Sequence, residues 1–282
     1  MEIAYCKYSM LKRDYIEYGL TEHCNLKCDG CTVFAPFLKP FFAELENYKR
    51  DVLEMAKAIH VKRFRLLGGE PMLHKQVIDF IQVAKDAGIA RKGSPGRNMG
   101  VGVCSNGGLA HLMDEAFFKA IDFIDISVYP ASKIDYIELK NLLNDKQQKY
   151  GFNIRFLGHK DEFQIVNLDT EIEDADKIQK IYDTCAMAHA WSCHHFYDGY
   201  YYKCAKPVYQ NKYFDRRGIK TSIDYRKVDG IPIHEPDFEG RVKAYIDSKE
   251  PLASCKLCLG TSGPHFKGKQ LSKEEIKAQI ID

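Results

Sequence analysis

The sequence predicts an α/β fold: a partial barrel of the (β/α)6 type, followed by a small C-terminal extension built on a β-hairpin. Three observations carry this. Short apolar strand patterns alternate with amphipathic helical patterns at least five times between residues 15 and 160. That stretch is well short of the roughly 250 residues of a closed eight-fold barrel. Beyond Glu162 the rhythm gives way to clusters of Cys, Tyr and His, with no long helical pattern before Asp237–Ser248. A boundary near residue 165 divides the chain into 1–165, the partial barrel, and 166–282, the extension.

Tyr15 to Thr21 reads as the first strand. Glu46 to Ile59 has a helical apolar face made by Val52, Leu53, Met55, Ala56 and Ile59. Arg63 to Leu67 is the next strand, ending in Gly68-Gly69-Glu70-Pro71, and Lys75 to Ala87 is an amphipathic helix stopped by Gly88. Arg91 to Gly100 is rich in Gly and basic residues and reads as a loop. Val101–Cys104 is a strand followed by Ser105-Asn106-Gly107-Gly108, and Asp114–Ala120 is a helix. Phe123–Tyr129 is a strand stopped by Pro130, Ile134–Tyr150 a helix, and Asn153–Leu157 a fifth strand.

Composition narrows the partners. Of 282 residues, 45% are apolar, enough for a sizeable core, and 41 Lys and Arg nearly cancel 39 Asp and Glu. A formal charge of +2 gives no bulk field for nucleic acid or membrane, so neither partner is expected. No apolar run approaches the roughly 18 residues of a membrane span, and the N-terminus lacks a signal-peptide apolar region. A cytoplasmic protein is expected. Its ten cysteines then read as metal or cluster ligands rather than a disulfide scaffold.

Cys24, Cys28 and Cys31 form a CxxxCxxC group in the loop leaving the first strand. Three thiolates this close can converge on one face of a four-iron cube, leaving one iron open to a non-protein chelator. A zinc site completed by His23 is the alternative. With Gly68-Gly69-Glu70-Pro71 ending the second strand and Ser105-Asn106 ending the third, the first 160 residues resemble the radical S-adenosylmethionine (SAM) superfamily. That resemblance implies a [4Fe–4S] cluster with an open iron site, with SAM as its chelator. GGEP would hold the SAM amino group, Glu70 offering the acceptor that an ammonium needs. Ser105 and Asn106 would contact its ribose or carboxylate, and Ser127 would face the cofactor. It also implies reductive SAM cleavage to a 5′-deoxyadenosyl radical, fed by an external one-electron donor of flavodoxin or ferredoxin type. One departure stands out: the residue before the third cysteine is usually aromatic and packs on the adenine, and here it is Gly30. Phe34 or Phe37 are the replacements the sequence offers.

Cys185, then Gly199, Cys204 and the distant pair Cys255 and Cys258 form a second group. Asp198-Gly199 between aromatic flanks is a hairpin turn signal. The spacing resembles Twitch, the half of the SPASM extension that holds one auxiliary [4Fe–4S] cluster. Structural zinc on the same thiolates is the competing reading. A two-residue loop would place Cys193 across the hairpin from Cys204, so either Cys185 or Cys193 completes the group. Cys6 and Cys104 read as small buried hydrophobes. His194, His195, Tyr197, Tyr200 and Tyr202 read as packing, and Lys267–Lys273 as solvated surface.

Tyr129 and Arg155, at or near strand ends, are the residues expected to meet substrate. The resemblance implies hydrogen abstraction from a small polar substrate (sugar, aminosugar or cyclitol), with the auxiliary cluster taking the electron. A peptide maturase is the alternative; with only about 14 residues before the first strand, no peptide-recognition domain is expected ahead of it. A non-catalytic zinc protein is the second alternative.

Overall fold

A computed structural model describes residues 11–90, 99–159 and 162–281. Cys6 and most of the basic loop, residues 91–98, lie outside the described residues. The central sheet has eight strands in the order β5-β4-β3-β2-β1-β7-β8-β9. Its first five strands, β1 (Leu11–Thr21), β2 (Ile59–Gly68), β3 (Gly100–Ser105), β4 (Phe123–Val128) and β5 (Asn153–His159), run parallel. The connecting helices are α1 (Leu45–Ala58), α2 (Val77–Asp86), α3 (Glu115–Ala120) and α4 (Tyr136–Tyr150). This is the predicted open, partial barrel, with β1 beginning four residues earlier than expected.

Strand alternation sorts the residues between two faces. Ile16, Tyr18, Leu20, Phe64, Leu66, Val101, Val103, Ile124 and Ile126 pack in the core with α1 and α2, through Tyr48, Val52, Met55, Phe80 and Ile81. Leu53, expected on the buried face of α1, is exposed; Tyr48 serves instead, its hydroxyl donating to the Phe80 carbonyl at 3.1 Å. The intervening positions (Tyr15, Glu17, Arg63, Arg65, Asp125, Arg155) are polar or charged, so the other face of the sheet is a polar floor.

The C-terminal part joins the same sheet. β6 (Glu162–Gln164) leads into α5 (Ala175–Asp183) and the short α6 (Ala186–His189). β7 (His195–Tyr197) then adds parallel to the free edge of β1 through Glu17 and His195. β8 (Tyr200–Tyr202) folds back on it around Asp198 and Gly199, both at positive φ, as a type I′ turn requires. Next come α7 (Lys206–Arg217), α8 (Tyr225–Asp229), β9 (Ile231–Pro232) and α9 (Phe238–Asp247), then β10 (His265–Lys267), paired with β6, and α10 (Lys273–Lys277). Helices α5 to α8 were unforeseen, α5 and α7 being the longest of them. α7 starts with Pro207 in its first turn and buries Val208, Tyr209, Tyr213 and Phe214; this aromatic-rich text reads as strand or loop until tertiary burial decides it. In α5, Asp174 caps the Lys177 amide at 3.0 Å.

Candidate functional site

One cavity of about 620 Å³ opens where the parallel strands end. It is lined by Cys24, Cys28 and Cys31 from the loop after β1, Gly68 and Gly69 after β2, Ser105 and Asn106 at the end of β3, and Ser127 and Tyr129 at the end of β4. Arg155 of β5 lines it too, together with Tyr15, Glu17, Arg65, Cys104, Phe163 and Trp191, none of which was picked out as a site residue, and with Cys193, which was weighed for the second cysteine group. The sequence signal for these strand positions was available: charged residues at alternate positions in strands buried on both faces.

The glycine pair serves the chain's own backbone. A Cβ on Gly68 would lie 2.3 Å from the Thr21 carbonyl oxygen, and one on Gly69 2.1 Å from that of His23. The Gly69 amide donates to Thr21 O (2.6 Å) and the Glu70 amide to His23 O (2.9 Å), stitching β2 to the start of the cysteine loop. Glu70 does not face the cavity. It is fully buried and accepts from Met72 N (3.1 Å), Ser105 Oγ (2.8 Å) and Asn106 N (3.0 Å). Burial pushes its pKa up to about 7 against those bonds. These three bonds make Glu70 a positioning residue for Ser105 and Asn106, with acceptor capacity left on Oε2, and Pro71 is buried in the turn behind it. Asn106 in turn donates to Asn25 Oδ1 (2.8 Å) and points Nδ2 at Cys24 Sγ (3.8 Å).

The three thiols suit an iron–sulfur cluster. Burial pushes the Cys24 pKa up to about 12 and raises that of Cys31, so ligation would release their protons. Amide donors already face sulfur: Leu26 N at 3.4 Å from Cys24 Sγ and Gln270 Nε2 at 3.1 Å from Cys28 Sγ. His23 packs by Phe42 and does not line the cavity. Among the described residues no three Cys, His, Asp or Glu side chains close on a single-ion position.

Where the aromatic is missing before Cys31, rings from a distant segment approach. Gly30 has φ +68°, and a Cβ there would lie 2.6 Å from the Phe266 ring. Phe163 lines the cavity beside it and stacks on Tyr129 (5.6 Å between ring centroids, 3° between planes). The small β6–β10 ribbon thus brings two rings to the spot. Phe34 and Phe37 are not the replacements: both pack on Tyr213, at 4.0 and 5.8 Å, away from the cavity. In the 267–273 segment Lys267, Lys269, Ser272 and Lys273 are exposed as expected, but the backbone is tied down. Lys27 N donates to Gln270 Oε1 (2.6 Å), Asp29 N to Lys269 O (2.9 Å) and Leu271 N to Lys27 O (2.8 Å), and Leu271 is buried.

The second group gathers from three elements. Cys204, just after β8, feels the charges of Cys255, Cys258 and Cys185. Burial raises the pKa values of Cys204 and Cys258 and brings that of Cys255 to about 12. Asp229 holds the turn before Cys255 by accepting from Ala253 N (2.6 Å) and Ser254 N (2.9 Å). Cys185 is brought in by the Ala186 amide, which donates to Thr261 Oγ1 at 2.9 Å, next to Gly260. Gly260 N donates to Cys258 Sγ at 3.2 Å.

Cys193 is elsewhere. The hairpin pairing ends at His195 and Tyr202; beyond it Cys193 turns to the main cavity, 3.8 Å from Arg65 Nη2. The cross-hairpin pairing with Cys204 therefore does not form. Cys104 also lines the cavity rather than the core. His194 and His195 are packing residues as expected: both are buried, and burial lowers their pKa values to about 3, leaving them neutral.

A cysteine-lined cavity at the carboxyl ends of parallel strands lies where open α/β sheets bind their ligands, the class of α/β ligand-binding folds. Residues 18–150 match the model of the Radical SAM superfamily. Over those residues the chain carries a radical SAM domain. Among curated relatives, GTP 3′,8-cyclase of Helicobacter pylori (strain J99) is 42% identical over 72 residues, 24% of this chain and 22% of that protein. The cyclase of Campylobacter fetus subsp. fetus is 31% identical over 70 residues, 24% and 22% of the two chains. This chain thus spans about a quarter of the length of the relatives it matches. Among solved structures, BtrN in complex with AdoMet and 2-DOIA superposes over 90% of this chain and 96% of that one, at 15% identity and a TM-score of 0.49. Streptococcus suis SuiB bound to S-adenosylmethionine does so over 85% and 66%, at 10% identity and a TM-score of 0.42. Among the described residues no helix is long and apolar enough to cross a membrane.

Proposed function

We propose that this protein is a radical SAM oxidoreductase acting on a small polar substrate of the sugar, aminosugar or cyclitol kind, with residues 1–165 as the radical domain and 166–282 as an auxiliary-cluster domain. The observation that carries the reading is the separation of the cysteines. Cys24, Cys28 and Cys31 line the cavity with the strand-end glycines and serines, Cys204 lies outside it within electrostatic reach of Cys185, Cys255 and Cys258, and Cys104 and Cys193, which also line the cavity, belong to neither group. When bound, the first [4Fe–4S] cluster and SAM supply a 5′-deoxyadenosyl radical, and a fully ligated auxiliary [4Fe–4S] cluster supplies an electron acceptor.

The chain's own residues bind, orient and enclose. Gly68 and Gly69 offer backbone to SAM at the cysteine loop, Ser105, Asn106 and Ser127 offer polar side chains, and Glu70 with Pro71 sets their turn. Phe163 and Tyr129 wall the site and exclude water. Burial raises the Tyr129 phenol's pKa well above its usual value, so it stays protonated. Arg155 meets the substrate. Electrons come from a flavodoxin- or ferredoxin-type donor, and free thiols at all the described cysteines suit a cytoplasmic setting.

Anaerobic reconstitution tests this. About eight irons per chain are expected, and replacing Cys24, Cys28 and Cys31 with Ala should abolish reductive SAM cleavage while about four irons remain. Persistent cleavage in that variant, or stoichiometric zinc in place of iron, would sink the reading.

A further inference from the structure

The inner end of the cavity carries more positive than negative charge. Among the described residues, the charged side chains lining it are Arg65, Arg155 and Glu17, with Arg63 and Asp125 directly behind. Three guanidiniums therefore face two carboxylates. Asp125 is fully buried and accepts from Arg63 Nη2 (2.6 Å), Arg155 Nη2 (2.7 Å) and Arg155 Nε (3.1 Å). Glu17 accepts from Arg65 Nη2. Arg65 is only partly engaged: its Nη2 also lies 3.8 Å from Cys193 Sγ and the group sits 4.6 Å from the Tyr15 ring centroid, but the buried Nε has no partner and Nη1 stands 3.7 Å from Asp125, beyond hydrogen-bond reach. Arg155, whose side chain is 35% exposed, adds only a 3.3 Å bond from Nη1 to the Tyr15 hydroxyl.

A purely structural strut across β1, β2, β4 and β5 would balance its charges, because an uncompensated buried charge is strongly destabilising. Here the imbalance faces an open cavity, where an entering anion relieves it. The guanidinium fork matches a carboxylate in shape. A carboxylate's single charge also cancels the surplus, whereas a phosphate monoester, at about −1.5 to −2, would exceed it.

We propose that Arg155, backed by Arg65, binds one carboxylate of the substrate, so that the substrate is a polyhydroxy acid of monosaccharide size rather than a neutral sugar. This rests on reading the cavity as the substrate site.

Anaerobic titration calorimetry of the reconstituted, SAM-loaded protein tests it with three probes: D-glucuronate, D-glucose and D-glucose 6-phosphate. Glucuronate should bind at least about tenfold tighter than glucose, with glucose 6-phosphate weaker than glucuronate. Arg155→Gln should cut the preference for glucuronate over glucose to about twofold or less, and Arg155→Lys, which keeps the charge, should retain most of it. Equal affinity for glucuronate and glucose overturns the proposal. So do tighter binding of the phosphate, no glucuronate binding up to about 10 mM (an affinity of about −2.7 kcal/mol), and an undiminished preference in Arg155→Gln. The wild-type comparison decides even if the Gln variant misfolds. Wild-type protein that prefers glucuronate but fails to cleave SAM would remove the radical reading and leave this one standing.

Discussion

At the scale of single residues, Glu70 and Gly30 carry the most testable chemistry. Glu70 sits with a pKa near 7 because burial outweighs the hydrogen bonds it accepts. Its folded value is above the ordinary 4.5, so the folded state holds the proton more tightly than the unfolded chain does. The stability it contributes is fully present below the ordinary range and is lost as pH rises through about 7. Glu70→Gln, neutral throughout, should flatten that decline by about 3 kcal/mol, or roughly 6–12 °C in thermal midpoint, in melts compared across that window. A variant whose pH slope matches the wild type would refute the assignment. Gly30 is constrained twice, by its positive φ and by the Phe266 ring. Gly30→Ala should cost about 1–3 kcal/mol, and adding Phe266→Ala should recover only the part due to the clash. Denaturant melts of the single and double variants separate the two contributions.

At the scale of elements, the C-terminal ribbon and its continuation act as a clamp on the cysteine loop. Gln270 holds both Lys27 N and Cys28 Sγ, with Lys269 and Leu271 bonded on either side. Gln270→Ala should cost about 1–3 kcal/mol by leaving the Lys27 amide unpaired. Hydrogen bonds to cluster sulfurs help set potential, so losing the donor to Cys28 should also make the reconstituted cluster's potential more negative. An electron paramagnetic resonance redox titration reads that shift, and an unchanged potential would limit Gln270 to a structural role. The text Lys267-Gly268-Lys269-Gln270 gave no sign of this. A short polar segment looks solvated until a partner more than 200 residues away in sequence satisfies its backbone.

At the scale of the whole molecule, β7 joins the edge of β1 with Cys193 at the cavity, whereas Cys204, after β8, does not line the cavity and interacts with Cys255, Cys258 and Cys185. Cys185→Ser should lower iron from about eight to about four per chain, whereas Cys193→Ser should leave iron unchanged. Equal losses in the two variants would show that the sorting is wrong. Asn167 spans the groups, donating to Cys31 O (3.3 Å) and accepting from Lys206 Nζ (2.8 Å), so the two halves of the chain are built as neighbours.

The sequence by itself determined the alternating strands and helices, because period-2 and period-3.6 apolar patterns are local. It also determined the cysteine loop and the strand-end motifs, because their spacing is a property of a few adjacent residues. It pointed to Arg155 by the same logic of strand ends. Only the tertiary structure decided the rest. It put Cys185 within reach of Cys204 and Cys193 at the cavity, turned Glu70 inward, brought rings from β6 and β10 to Gly30, and made helix of the aromatic text at α7. Each of these depends on contacts between residues remote in sequence, where packing and the pairing of buried polar groups outweigh local preference.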